Sequence, residues 1–379
     1  MRTLSTPLFC AAVASACAAT GDAPPGEAEQ TLAGLTASAG TYAPMADPPA
    51  APLTGSSEFE TRFRLMAHVS LPMNEVRSIG VPEFCAVGAD GSVYFASMGS
   101  PDLGVWRPDG RVHRLELGGA PARTMAIATR EGDEAVYVLD AARQQVRRYS
   151  PDGEPLDYVP LNAGQISFSL VVLPDGGIVT GGLRREREDR TTLLALHSAT
   201  GRLVRAFFPM SDTTLGNKLR VAPPVHVVSA GDGTLIAAQS GSPRLHRFGP
   251  DGEELGSFGS AYEGYRPQVV VTETVADAEQ TRALLAAWDP LVFLHQARGV
   301  SAVGFETRSG GRRVWRLEVY GPSGERESTG LLHPAQPLCG DARHLVLVGQ
   351  PAGGATQLFR YAFPGEPHGG RPPSSSRGE

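Results

Sequence analysis

The 379-residue sequence lacks clustered positive charge. Only one of its 34 basic residues is a lysine, Lys218, and basic residues never stand together in more than pairs. The formal net charge is -6. Because binding to a phosphate backbone depends on clustered positive charge, we expect no nucleic-acid partner.

Long apolar runs are also scarce. Beyond the first residues the closest candidate for a membrane span is ALLAAWDPLVFL, which Asp289 and Pro290 interrupt. A bilayer-spanning helix needs about 20 apolar residues, so we predict that any membrane attachment is confined to the N-terminus.

The N-terminal segment has the order of a secretory signal peptide over residues 1–17. Arg2 precedes an apolar run from Leu8 to Ala16, and small residues follow. Ala14 to Cys17 is similar to a bacterial lipobox, which predicts lipidation at Cys17, although cleavage at the small residues Ser15 and Ala16 is the alternative. The sequence therefore predicts an exported protein, either an envelope lipoprotein or a free secreted or periplasmic one.

Large side chains are rare in two further segments. Residues 18–57 and 368–379 consist mainly of small and turn-forming residues, which cannot bury enough apolar surface to offset the cost of ordering. We predict a disordered linker and a disordered tail that flank one folded domain, 58–367. We expect this domain to be monomeric.

The composition of the chain excludes a helical bundle. Its 45 glycines and 31 prolines together make about a fifth of the residues, well above average usage. Hydrophobic residues still amount to 41%, which is enough for a packed core. The sequence therefore favours an all-β fold with many tight turns.

Two kinds of hairpin alternate along the domain, with six copies of each. Members of the first kind place an alternating strand before a tight turn that ends in Gly, which adopts positive φ without steric cost. The turn glycines are Gly110, Gly153, Gly201, Gly252, Gly324 and Gly365. Two hairpins per repeat give four strands per repeat, so the pattern predicts a six-bladed β-propeller with four-stranded antiparallel blades rather than a β-sandwich.

The repeats resemble the six-bladed β-propellers of the NHL and TolB-like kind. The similarity rests on three pairs of segments: Pro82 to Ser97 with Val105 to Gly110, Val136 to Asp140 with Val146 to Gly153, and Asp232 to Gln239 with Leu245 to Gly252. Such propellers include scaffolds, receptors, lactonases and lyases, so the resemblance implies an architecture and not one activity.

Ring closure follows from counting strands. The last repeat has three recognisable strands, and the alternating segment Phe59 to Leu71 has no partner ahead of the first repeat. We predict that Phe63 to Val69 forms the outer strand of the last blade. A long interval before Gly299 contains DAEQTRALLAAW, which has helical spacing and lacks the hairpin that a seventh blade would need.

Any ligand would bind where the links between blades and the connections between second and third strands meet, at the end of the ring opposite the Asp-Gly turns. Arginine is frequent there, and guanidinium groups match carboxylate and phosphate geometry. We therefore predict a small anionic or carbohydrate ligand, or a partner protein, and the ordinary alternative is that these arginines are solvated surface residues. The candidates are Arg77, Arg123, Arg220, Arg244 and Arg266.

Metal-dependent chemistry has weaker support. The resemblance to lactonase and lyase propellers raises the question of a channel metal, for which the candidates are Glu83, Asn162 and His226. Hard cations need several converging oxygen ligands and zinc needs three or four ligands, so we expect no metal and no cofactor. No G-x-S-x-G sequence occurs either. We predict a non-catalytic binding or scaffold propeller, and the alternative is a metal-dependent hydrolase or lyase.

The folded part contains two cysteines, Cys85 and Cys339. They lie on the predicted inner strands of the first and last blades, which become neighbours only when the ring closes. In an oxidising compartment they could form a disulfide worth on the order of 4 to 5 kcal/mol. Two free buried thiols are the alternative, since neighbouring inner strands can hold Cα atoms beyond the roughly 7 Å limit for a bridge.

Overall fold

In the computed structural model, six four-stranded antiparallel sheets form the ring of a β-propeller. The structure describes residues 53–71, 79–118, 124–130, 132–140, 142–161, 164–187, 190–211, 225–230, 232–269, 283–284, 286–350 and 355–363. The six-bladed architecture predicted from the repeats is confirmed. No seventh sheet occurs within these ranges.

Each blade takes four strands in order along the chain, except the last. Blade 1 contains β2 (Phe84–Val87), β3 (Val93–Ala96), β4 (Leu103–Trp106) and β5 (Val112–Leu115). Blade 2 contains β6 (Thr124–Thr129), β7 (Val136–Asp140), β8 (Gln145–Tyr149) and β9 (Pro155–Pro160). Blade 3 contains β10 (Ile166–Val172), β11 (Ile178–Arg187), β12 (Arg190–His197) and β13 (Leu203–Pro209).

The second half of the ring repeats this order. Blade 4 contains β14 (Val225–Ser229), β15 (Leu235–Gln239), β16 (Leu245–Phe248) and β17 (Glu254–Phe258). Blade 5 contains β18 (Leu291–Ala297), β19 (Val300–Ser309), β20 (Arg312–Tyr320) and β21 (Arg326–His333). Blade 6 combines β22 (Gln336–Gly340), β23 (His344–Gly349) and β24 (Gln357–Ala362) with β1 (Leu65–Ser70) from the start of the domain.

The tight turns form because their residues satisfy the backbone locally. In the first hairpin of blade 1 the carboxylate of Asp90 accepts a hydrogen bond from the amide of Ser92 at 2.9 Å. In the second, Gly110 has φ of 88° and its amide donates to the carbonyl of Arg107 at 3.0 Å. The Asp-Gly pairs thus supply both the side-chain acceptor and the positive φ that these turns require.

Strand β1 closes the ring as predicted. It pairs antiparallel with β24, with Val69 opposite Leu358 and Ser70 opposite Gln357. The pairing fills the outer position of blade 6 and leaves no seam between the two ends of the domain.

The first residues of the alternating segment Phe59 to Leu71, which precede the predicted strand, form a short helix. Helix α1 (Ser57–Arg62) begins there, because the hydroxyl of Ser56 accepts from the amide of Phe59 at 3.2 Å and caps the first turn. The amide of Ser56 also donates to the carbonyl of Leu332 at 2.8 Å. The end of the segment predicted as a linker is therefore held against blade 5.

The hydrophobic core lies between the blades. Five clusters of buried side chains each join neighbouring sheets, and the cluster at the closure joins Trp106 and Tyr94 of blade 1 to Val346 and Leu358 of blade 6. Alternate side chains of a strand point to opposite faces, so each central strand packs against both neighbouring blades. The ring is thus held by face-to-face packing, and the inner strands remain free to line a channel.

Several predictions fall outside the described residues. They are the signal peptide with Cys17, nearly all of the linker, most of the helical segment 277–288, the turn at Gly365 and the C-terminal tail.

Candidate functional site

The six inner strands enclose a central channel with a volume of about 1810 Å³. Its wall combines polar side chains with apolar ones, among them Phe84, Ile127, Val228 and Leu294. Polar side chains gather at the two ends, where the strands begin and end. We call the end formed by the links between blades, with Glu83 and Gln336 at its rim, the mouth.

Two of the three weak metal candidates, Glu83 and His226, lie at the mouth. The carboxylate of Glu83 accepts from the amide of Met98 at 2.7 Å, and burial raises the pKa of this carboxyl. Burial lowers the pKa of His226 to about 4, and its Nε2 lies 3.1 Å from the carbonyl oxygen of Leu291. A neutral His226 therefore donates to that carbonyl.

Two further histidines have structural partners. The Nδ1 of His333 accepts from the amide of Ala335 at 2.9 Å, so Nε2 carries the proton and donates to the hydroxyl of Tyr361 at 3.0 Å. Burial lowers the pKa of His333 to about 4. His295 lies near the other end of the channel, with Nε2 2.9 Å from the carbonyl oxygen of Asp341.

Two of the five arginines predicted to bind a ligand are described, and neither lines the channel. The guanidinium of Arg266 pairs with the buried carboxylate of Asp289, which raises the pKa of Arg266, and Nη1 donates to the carbonyl of Ala286 at 2.7 Å. Arg244 donates through Nε to the hydroxyl of Ser257 at 2.9 Å. Three arginines and one metal candidate lie outside the described residues: Arg77, Arg123, Arg220 and Asn162.

Within the part of the chain that the structure describes, no group of three or more His, Cys, Asp or Glu side chains is placed to hold a metal ion. Glu83 and His226 both border the mouth, and each has a backbone partner of its own.

The hairpin of blade 5 is longer than the sequence pattern indicated. Strands β19 and β20 have 10 and 9 residues, whereas β3 and β4 of blade 1 have four each. The extra length carries Glu306, Arg308, Arg313 and Trp315 to the mouth. The signal was present as the long alternation GFETRSGGRRVW around a Gly-Gly turn, which is too long for an ordinary connection between second and third strands.

These four side chains share one face of the hairpin. Glu306 lies opposite Trp315, and Arg308 lies opposite Arg313. Arg313 forms an ion pair with Glu306 at 2.5 Å, and its guanidinium carbon lies 5.4 Å from the centre of the Trp315 ring. The arrangement is a charged patch on an aromatic base at the entrance of the channel.

The channel wall also contains a disulfide. Cys85 on β2 is bonded to Cys339 on β22, and their Cα atoms are 5.5 Å apart. The bridge joins blade 1 to blade 6 at the point where the ring closes.

Among the described helical residues, none forms a helix with the length and apolar character required to cross a membrane.

Comparisons with known proteins identify the fold and no family. No family model matches the chain, and no curated protein matches it in sequence. The resemblance to NHL and TolB-like propellers therefore stays a prediction.

Solved structures are similar to this chain at low sequence identity. A Bacteroides fragilis protein described as exported is 8% identical with a TM-score of 0.56, covering 81% of this chain and 96% of its own. A member of the DUF4221 family from Bacteroides vulgatus is 9% identical with a TM-score of 0.57, covering 79% and 97%. At such identities the likeness shows a shared propeller fold.

Proposed function

We propose that the protein is an exported, non-catalytic binding propeller that holds a small anionic or carbohydrate ligand, or a partner, at the mouth of its channel. The observation that carries this proposal is the concave channel, whose wall contains apolar side chains and whose ends carry polar ones. Small-molecule sites combine a concave apolar surface with a few convergent polar groups.

The polar contacts of the channel favour binding over catalysis. Glu83, His226 and His295 each form a hydrogen bond with a backbone group, and these bonds hold their side chains in place in the channel wall. A general acid or base must come within hydrogen-bond reach of the reacting group, usually beside a second group that orients it. The histidines instead resemble ordinary buried residues.

Three observations support export. The N-terminus has the order of a signal peptide, Cys85 and Cys339 are bonded, and a structural neighbour is described as exported. Disulfides persist in oxidising compartments and are rare in the cytosol.

The lipid is the most direct part of this proposal to test. If Cys17 is lipidated, intact-mass analysis of membrane-fraction protein gives a mature chain that starts at Cys17 and carries the acyl mass. A terminus at Cys17 without acyl chains, or one further along the chain, overturns the lipoprotein proposal and leaves export to be judged by fractionation.

Binding in the channel is tested with a plugged variant. Val228 lines the channel, so Val228→Trp places a bulky ring in the cavity. Leu156→Trp on β9 is the matched control, because Leu156 is 54% exposed on an outer strand. A thermal-shift screen with neutral and charged small molecules should find ligands that stabilise the wild type and Leu156→Trp and that lose their effect in Val228→Trp.

Two outcomes decide against the proposal. If every stabilising molecule acts equally on the plugged variant, the channel is not the site. If a bound ligand is recovered chemically converted, and stoichiometric calcium or zinc survives dialysis, the protein is the metal-dependent hydrolase or lyase instead.

A further inference from the structure

We propose that the extended hairpin of blade 5 binds a carboxylate group, through Arg308 and the indole N–H of Trp315. This inference rests on the proposed function and assigns the chemical class of its ligand. The observation behind it is an unpartnered donor beside an unpaired charge at the mouth of the channel.

The first donor is the indole of Trp315. Its side chain is 9% exposed, and its buried Nε1 has no hydrogen-bond acceptor among the described residues. A buried donor without an acceptor costs about 1 to 3 kcal/mol, so most such groups in native proteins have partners. An acceptor supplied by a ligand would satisfy this N–H once the guanidinium of Arg313, which lies over the ring, moves aside.

The second donor is the guanidinium of Arg308. The side chain is exposed and has no ion-pair partner within the described part of the chain. Arg313 and Glu306 neutralise each other, so the patch carries one net positive charge and a monoanion would balance it. The Arg313 side chain is 48% exposed and that of Glu306 is 30% exposed, so solvent screens the pair and it can rearrange around a ligand.

The register of the hairpin brings the two donors together. Arg308 lies opposite Arg313, two positions along the strand from Trp315, which makes Arg308 and Trp315 diagonal neighbours on one face. Such neighbours lie roughly 7 to 8 Å apart, within reach of long side chains. A carboxylate accepts two donors at once, one on each oxygen.

The surroundings leave room for the rest of a ligand. Pro290, Pro334 and Gln336 border the same end of the channel. A Cβ added at Gly310 or at Gly311, in the turn of the hairpin, would meet no atom within 4 Å. The carboxylate would thus bind on the hairpin while the body of the molecule extends into the mouth.

The experiment uses the mature protein and two pairs of probes. D-glucuronate is compared with D-glucose, and N-acetylalanine with its amide, so that each pair differs only or mainly in the carboxylate. Binding is measured by titration calorimetry, and tryptophan fluorescence reports contact with Trp315. We expect at least one carboxylate to bind and neither neutral analogue to bind measurably, and the pair that responds identifies a sugar acid or a peptide terminus as the source.

Three variants locate the site. Arg308→Ala should weaken carboxylate binding about tenfold, and Trp315→Phe should weaken it about fivefold and abolish the fluorescence change. Arg312→Ala is the matched control, because it removes the same charge from the same hairpin. Arg312 lies opposite Ser309, so its side chain points to the face opposite that of Arg308. It should change the affinity less than about twofold.

The inference is overturned if neither carboxylate binds at millimolar concentration, or if Arg308→Ala and Arg312→Ala have equal effects. Suppose that Val228→Trp abolishes the binding of a ligand, but that its affinity changes neither in Arg308→Ala nor when its carboxylate is replaced by a neutral group. Such a result overturns this inference and leaves the proposed function standing. The proposed function fails separately, when no molecule in the wider screen depends on an open channel.

Discussion

Removing the disulfide should lower the stability of the propeller more than any other change of two small side chains. The perturbation is the double variant Cys85→Ala with Cys339→Ala. The bridge links residues separated by 254 positions, so in the wild type it constrains the unfolded chain strongly. The loop-entropy model gives about 5 kcal/mol for a closed loop of this size, which corresponds to roughly 10 °C in Tm for a domain of this length.

The loss of packing has to be separated from the loss of the cross-link. Cys85 is 7% exposed, so its replacement also removes a buried sulfur. Wild-type protein unfolded in the presence of a reductant is the comparison, because it loses the cross-link and keeps both sulfur atoms. We expect reduction of the wild type to cause most of the loss in the free energy of unfolding. The double variant should be slightly less stable than the reduced wild type.

The assay is urea unfolding followed by tryptophan fluorescence, with an intact-mass check of the oxidation state. The cross-linked unfolded chain is more compact and exposes less surface, so the oxidised protein should also show a smaller m-value. Equal unfolding midpoints for oxidised and reduced wild type would refute the entropy argument. Two free thiols in unfolded, unreduced protein would refute the bridge itself.

Three further predictions concern buried groups and turns. Burial lowers the pKa of His333 to about 4, so as the pH falls from about 6.5 to 4 the unfolded chain binds a proton that the native protein does not bind. The free energy of unfolding should therefore drop by on the order of 3 kcal/mol over this range. His333→Gln should remove this share of the pH dependence, and His226 should add a loss of the same sign. A Cβ at Gly201 would lie 1.9 Å from a backbone carbonyl oxygen, whereas Gly110 faces open space, so Gly201→Ala should cost well over the roughly 1 kcal/mol expected for Gly110→Ala, and equal Tm values would contradict the turn geometry. Phe59 is 0% exposed, so Phe59→Ala should cost about 3 to 5 kcal/mol in urea unfolding, and a loss below about 1 kcal/mol would mean that helix α1 contributes little to the fold.

The architecture could be predicted because its information is local. An Asp-Gly pair such as Asp109 and Gly110 specifies a turn from two adjacent residues, through a side-chain acceptor and a positive φ. Six Asp-Gly pairs mark half of the twelve alternating hairpins from which the blades were predicted, and the unpaired segment around Val69 indicates how the ring closes. The short helix α1 was missed because its cap, Ser56, is a single residue at the edge of an alternating pattern.

The candidate site could not be predicted in the same way, because its contacts join residues that are distant in sequence. Arg266 is a plausible ligand residue until its partner Asp289 is known, and that carboxylate follows 23 residues later. Trp315 and Arg308 can be recognised as parts of one candidate site only when the register of β19 and β20 is known, because that register places them on one face. A single sequence shows residue types, whereas side-chain direction at the mouth depends on the fold around it.

The position of β1 has a consequence for the order of events during synthesis. Its partner β24 (Gln357–Ala362) is made last, nearly 300 residues after β1 leaves the ribosome. Until β24 has been synthesised, β1 has no native partner, even if the other five blades have already formed. Long-range pairing of this kind slows folding and exposes strand edges. The ring therefore cannot be completed until the final strand of the domain has been made, so any folding before that point yields an open arc of blades.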